Sequence, residues 1–462
     1  MPHMSIRRRG QRHLLAKGSA LAAFVTAGWF LLHTGGQPVQ AAPQRPTVSP
    51  LPGKKAFPGA LGFGANAKGG RGGTIMMVTN LNDAGKGSLR ACIEAKGPRV
   101  CVFRVNGLIR FSERPPVVRN PYLTIAGQTS PGSGITIAHS GGSNGRTPLV
   151  IKNTHDVVVR HIRIRPDRPG GNRGSEDTIT IENSSNVIID HVSASWARDE
   201  LINGYGDNDS ITVSNSIFAW GIPSHDKCAL LASDPEEGQR FSFINNVCAH
   251  NGDRNPDLNF PPHSCVEVVN NVLYNGASRF AEIWESFGGT PVSIVGNSFI
   301  SGPNTASQAV GIARDTRYST GKARVYLWDN RFQGGFEQVN SAVRQVQEPT
   351  PICALTLQPV DSSTAYSRVL ARAGAFPRDA IDDQVIYDIK HSSGRIGQPD
   401  PKLPSWDRET PDADSDQDGM SDGWERMVGT NPQRGDPWGD IDGDGVENLE
   451  EFLIYREMEL GL

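Results

Sequence analysis

Seven short, mostly apolar segments recur along the middle of the chain, each a run rich in β-branched residues that closes on a polar residue and resumes with a small or apolar pair. They read VVVRHIRI, VIIDHVSA, ITVSNSIF, FINNVCA, EVVNNVLY, SIVGNSFI and YLWDNRFQ. Aligned on the polar residue, they place His161, His191, Asn215, Asn246, Asn271, Asn297 and Asn330 at one position, 24 to 33 residues apart. A unit of one or two short strands cannot bury its own apolar face, so it must stack on its neighbours; the pattern predicts an all-β solenoid, a parallel β-helix. With 51 Gly and 32 Pro among 462 residues and little helical periodicity, helical bundles and coiled coils are excluded. Amides stacked at one turn can hydrogen-bond along the stack, so the Asn column is expected to be architectural. The uneven spacing means that loops leave some turns, and loops on a rigid scaffold are where a site is built. The intervals 161–191, 215–246 and 297–330 are the longest, and the first two contain the acids and the lysine singled out below.

The flanks differ from this middle. Arg7, Arg8, Arg9, Arg12 and Lys17 have no acid beside them and lead into an apolar stretch, Leu14 to Leu32, that ends near Val39-Gln40-Ala41. This predicts a secretory signal peptide over 1–41, a secreted (extracellular or periplasmic) protein, and no membrane span after cleavage. Export permits disulfides. Cys92 and Cys101 flank IEAKGPRV and are expected to pair, whereas the partners of Cys228, Cys248, Cys265 and Cys353 stay open. Pro-rich composition marks linkers at 42–55 and 401–409 around a single β-helix domain at 56–400. The balance of 46 basic to 49 acidic residues excludes a dedicated nucleic-acid binder.

From residue 410 onward fifteen acids face three arginines. Asp414, Asp416, Asp418, Asp422 and Glu425 fall at positions 1, 3, 5, 9 and 12 of an EF-hand-type loop, with Gly419 at position 6. Asp440, Asp442, Asp444, Asn448 and Glu451 repeat the spacing, with Gly445 at the turn. Hard oxygen donors at this spacing, twice, predict a small Ca2+-binding module over 410–455 that orders when the ion binds. It resembles thrombospondin type 3 and dockerin-like calcium repeats, which implies spacing, or attachment to a surface or scaffold, rather than catalysis.

The body resembles the pectate lyase superfamily, of the polysaccharide lyase family 1 type. Three stretches carry the likeness in order: the opening AFPGALGFGANAKGGRGG, the segment EDTITIENSSNVIIDHVSASW, and RNPDLN just before VEVVNN. The resemblance implies a right-handed β-helix, Ca2+ as cofactor, and β-elimination on pectate, an acidic plant cell-wall polysaccharide. Such a reaction removes a carbon-bound proton beside a carboxylate, so the site must neutralise that carboxylate and the dianion that develops; calcium held by protein carboxylates is one solution. By resemblance Asp177 in EDTI, and Asp199 and Asn203 in RDELIN, match calcium ligands. Ser175 and Asn203 stand where the family has carboxylates, and Glu176 and Glu200 are neighbours able to compensate. Arg254 in RNPDLN matches the base of the Arg-x-Pro-x-x-Arg motif, yet a guanidinium holds its proton tightly, so a purely electrostatic role for it stays open. Lys227 matches a lysine that meets a uronate carboxylate. Asn259, in the substrate groove, replaces the motif's second arginine. Asp190 belongs to the repeat register. A lyase on another uronan and a non-catalytic polysaccharide-binding surface remain as alternatives; a β-helix hydrolase is disfavoured, because no Asp pair accompanies a Gly-His-Gly and an Arg-x-Lys.

Overall fold

A computed structural model of the protein describes residues 42–112, 114–139, 147–166, 176–397 and 402–462. The signal peptide expected at 1–41, and Ser175, lie outside the described residues. Between Thr74 and Glu348 the chain winds through three parallel sheets, one of eleven strands and two of nine, giving about nine turns of a β-solenoid. One turn shows the order: His155–Arg160 lies in the first, eleven-stranded sheet, Ile162–Ile164 in the third, and Ile179–Glu182 in the second. The interior is a continuous apolar column in which Ile179, Ile181, Ile202, Ala229, Leu258, Ile283 and Ile312 of the second sheet are all buried. Because side chains alternate in a strand, the residues between them face outward.

The amide column exists, with one correction to its register. Strand pairing sets Arg160, Asp190, Ser214, Ile244, Val269, Val295 and Trp328 side by side. His161, His191 and Asn215 are therefore level with Asn245, Asn270, Gly296 and Asp329, one residue before the asparagines they were aligned with. All seven of these level residues have positive φ, which Asn, Asp, His and Gly tolerate best. The hydrogen-bonded ladder is the next position: the N–H of Val192 donates to Ser216, that of Ser216 to Asn246 (2.9 Å), that of Asn246 to Asn271 (2.8 Å), that of Asn271 to Asn297 (2.8 Å) and that of Asn297 to Asn330 (3.1 Å). Two adjacent polar positions, one chosen for its backbone and one for its amide, are indistinguishable in a single sequence. Each ladder bond contributes roughly 1 kcal/mol and fixes the stacking of one turn on the next.

Disulfides join Cys92 to Cys101, as expected, and also Cys228 to Cys248 and Cys265 to Cys353. The all-β expectation omitted two helices, Ser362–Arg372 and Ala380–His391, whose Val369, Leu370, Val385, Ile386 and Ile389 cover the third sheet at Ile217, Val247, Val272 and Ile300. Residues 42–462 form one compact unit. The segment expected as a linker, 42–55, lies along the body, with Val48 bridged to Leu355. The acidic tail is docked as well: Met420, Trp424, Leu449, Phe452 and Leu453 pack on Val100, Val102 and Ala126, on the outer face of the first sheet.

Candidate active site and tail metal loops

The outer face of the second sheet carries the chemistry. Register places Thr180, Asn203, Leu230, Asp257 and Glu282 in one outward row. A second row, at the strand entrances, is Glu200, Lys227 and Asp253. Asp177, Asp199, Asn203, Lys227 and Arg254, scattered over 78 residues of sequence, are brought together because each turn of the solenoid returns the chain to the same face.

Asp177 is buried and accepts from the Glu200 N–H (3.2 Å), the Thr180 hydroxyl (2.7 Å) and Asn203 Nδ2 (3.3 Å). Burial, and then the charge of Glu200, push its carboxyl up to about 8. Asp199, Glu200 and His225 each bring one ligand atom within 4.8 Å of the others. His225 Nε2 lies 3.0 Å from Asp199 and 3.7 Å from Glu200. Hydrogen bonds to these two acids raise the imidazole to about 9, so a protonated His225 balances them. Asn203 Oδ1 is buried without a hydrogen-bond partner. Its orphaned oxygen, with those of Asp177, Asp199 and Glu200, is a donor set that fits a hard divalent cation. Sequence reasoning gave Glu200 only a supporting part and left His225 out; the adjacency of Asp199 and Glu200 was the available signal for the first, and the second had none.

Arg254, with φ of +52°, sits in a ring of acids. Its Nη1 pairs with Glu200, its Nε is 3.6 Å from Asp257, and its backbone N–H donates to Glu282 (3.0 Å). Burial alone would lower the guanidinium, but Glu200, Asp257 and Asp253 outweigh it and hold the pKa above the ordinary arginine value. Asp257, buried and facing Glu282, is itself pushed well up. Lys227 Nζ is 2.5 Å from Asp253 and mostly covered. Asn259 is turned to its own scaffold, its Oδ1 accepting from the Ser286 N–H (3.1 Å). Asp190 is on the first sheet, held by Arg160, His191, Ser214 and Asn215, away from this face.

In the tail, Asp414, Asp416 and Asp418 form one group with ligand atoms in reach of each other, and Asp440, Asp442 and Asp444 another. Glu425 belongs to a third with Asp418 and with Asp436, which the loop spacing did not single out. Burial, then the charges of Asp416, Asp418, Asp422 and Asp414, raise Glu425 to about 7. Glu451 is raised too, by burial and then by Asp442, Asp444 and Asp440. Two of the expected ligands also make backbone ties. Asp422 accepts from the Ser415 N–H (2.8 Å) and Asn448 from the Ile441 N–H (3.0 Å), so each ties the start of its own loop to the helix that follows.

The comparisons bear on the family and the fold. Residues 124–375 match the pectate lyase family. A probable pectate lyase C of Aspergillus fumigatus is 36% identical over 402 residues, which cover 82% of this chain and 89% of the relative. The probable pectate lyase C of Aspergillus flavus is 35% identical over 410 residues, covering 86% and 92%. Among solved structures, the cedar pollen allergen Jun a 1 superposes with a TM-score of 0.51 over 68% of this chain and 92% of its own, at 22% identity, a likeness of fold. With more than half of its length matched by the family and relatives of this identity spanning most of it, the chain belongs to the pectate lyase family.

Proposed function

We propose that the protein is a secreted, calcium-dependent lyase that cleaves polygalacturonate by β-elimination. The observation that carries this reading is the position of Arg254 on the same outward face as the oxygen cluster of Asp177, Asp199, Glu200 and Asn203, and its ion pair with Glu200 of that cluster. Those oxygens would hold calcium, which when bound would supply charge neutralisation for the substrate carboxylate and so make the adjacent carbon-bound proton more acidic. Elimination then takes that proton to a base; its electron pair forms the new carbon–carbon double bond, the glycosidic carbon–oxygen bond breaks, and the leaving oxygen takes up a proton. Arg254 is the group offered to the reacting carbon. While Glu200 pairs with it the guanidinium is firmly protonated and serves as a cation for the developing dianion. Were Glu200 drawn to a bound cation, Arg254 would lose its strongest acidic partner, which is the change a guanidine base needs. Lys227, released from Asp253, would meet a second uronate, and Arg279, one turn further on and partly exposed, offers the charge that Asn259 lacks. The two tail loops are proposed as separate calcium sites, outside catalysis.

The test is incubation of the purified protein with polygalacturonate, with calcium and with chelator, while following the ultraviolet absorbance of unsaturated product. Calcium-dependent growth of that absorbance is expected. Reducing ends without unsaturation would indicate hydrolysis, and binding without either would indicate a polysaccharide-binding surface.

A further inference from the structure

Six carboxylates of the tail, from Asp414 to Asp436, converge in a small volume, and several of them have nothing to bond. Glu425 is fully buried, and neither of its oxygens has a hydrogen-bond partner; the same holds for both oxygens of Asp416 and for Asp414 Oδ1. Arg104 is near, but 3.9 Å from Asp414. A buried carboxylate without a partner is strongly disfavoured, so such a group is paired, protonated or bound to a cation. Asp436 is held at this place by its own connections. Its N–H donates to Asp418 Oδ2 (3.1 Å), and its carbonyl accepts from Asn448 Nδ2 (2.9 Å), the residue that also ties down the second loop. The first loop lies directly on the β-helix: a Cβ added at Gly419 (φ +95°) would stand 3.1 Å from Ile75 and 3.2 Å from Val102. Trp438, two residues after Asp436, donates its indole N–H to the Gly73 carbonyl (2.9 Å).

Resting on the reading of the tail as calcium-binding, we propose that Asp436 completes the shell of the first tail cation and that this ion clamps the tail onto the opening strands of the β-helix. The tail is then a metal-closed cover for the body and needs no outside partner. With the ion bound, Glu425 fixes the helix Asp422–Val428, Asp418 fixes the turn lying on Ile75 and Val102, and Asp436 fixes the chain that leads to Trp438 and to the second loop. Without it, like charges in a dry site push these three segments apart and uncover the strands Thr74–Val78 and Arg99–Phe103.

The experiment titrates the full chain with calcium alone, by calorimetry, and compares hydrogen exchange with and without the ion. Asp436→Asn is expected to weaken one of the tail sites about tenfold or more. It is also expected to speed amide exchange in 74–78 and 99–103, while the exposed control Asp412→Asn changes neither. Unaltered calcium affinity in Asp436→Asn removes Asp436 from the shell while leaving tail calcium standing; if Glu425→Gln also binds the wild-type number of ions, the calcium reading of the tail itself fails. Should a variant not fold, the wild-type chain decides the clamp: exchange in those two strands that does not respond to calcium overturns it.

Discussion

The protein holds two acidic clusters, and their surroundings are opposite. On the second sheet these carboxylates, the buried Asp177 excepted, have a cation close by: His225 serves Asp199 and Glu200, Arg254 serves Glu200 and Asp257, and Lys227 serves Asp253. In the first tail loop Glu425 and Asp416 have no partner at all among the described residues, although Glu425 is entirely buried. Paired charges are already compensated, so a cation or an anionic substrate enters by exchanging partners, and such a site can load and release. Unpaired buried carboxylates must take up a proton or a cation, and a site that binds a cation in this way holds it as part of the fold. One arrangement suits turnover and the other suits permanence.

The largest effect should come from the catalytic side. Arg254→Ala is expected to lower kcat by about a hundredfold or more, with little change in KM, since it removes a group that acts on the transition state. Steady-state rates on polygalacturonate check this. A folded variant that keeps more than about a tenth of the activity, a barrier change under ~1.4 kcal/mol, removes Arg254 from the mechanism. Arg254→Lys sharpens the point, because a retained activity whose pH profile moves to lower pH identifies proton abstraction as its task.

Next in size is the cation cluster. Asp199→Ala removes an oxygen donor and should raise the calcium needed for half-maximal turnover by about tenfold or more. An unchanged calcium curve would place the catalytic ion elsewhere and break the comparison on its paired side. A smaller effect is expected for Lys227→Ala, which should raise KM severalfold, roughly 1 kcal/mol of binding, more than it lowers kcat. The wild-type affinity should weaken with added salt. Equal rates on fully esterified and de-esterified pectin would show that uronate charge is not being recognised.

The smallest effect concerns the docked tail helix, Asn448–Glu459. Glu450 is buried, and burial, only partly relieved by Arg71 and Arg160, raises its carboxyl to about 7. A carboxyl raised in the folded state loses stability as pH rises from its unfolded value, near 4.5, to about 7. Glu450→Gln should therefore raise Tm at pH 8 by a few degrees, with no effect on turnover, and change Tm little at pH 4. Its neighbour Glu457 behaves inversely. Despite its burial, Arg160 and His161 depress it to about 2, so its contribution is present above pH 4.5 and lost toward pH 2. Melting curves across that range separate the two.

The repeat and its turns were legible in the sequence because a solenoid is quasi-one-dimensional: each segment meets only its neighbours, and the apolar pattern of one turn forecasts the next. Asp177, Asp199, Asn203, Lys227 and Arg254 were singled out through the resemblance to pectate lyases and not by the repeat, and the stacking of turns brings them to one face. Pairing was not. Whether Lys227 faces solvent or Asp253, whether Asn259 faces the groove or the Ser286 N–H, and which of two adjacent polar positions carries the ladder all depend on side-chain direction and on a register one residue wide. The tail shows the limit from the other side. Its spacing announced two oxygen-rich loops, but the use of Asp422 and Asn448 as ties, the arrival of Asp436 from outside the loop, and the docking of Trp424 and Phe452 on Val100 and Val102 involve contacts across as many as 350 residues. Local pattern determined what each segment is, because strand alternation and loop spacing act over a few residues. Burial decided what each charge does, because desolvation and pairing are set by whichever distant segment closes over it.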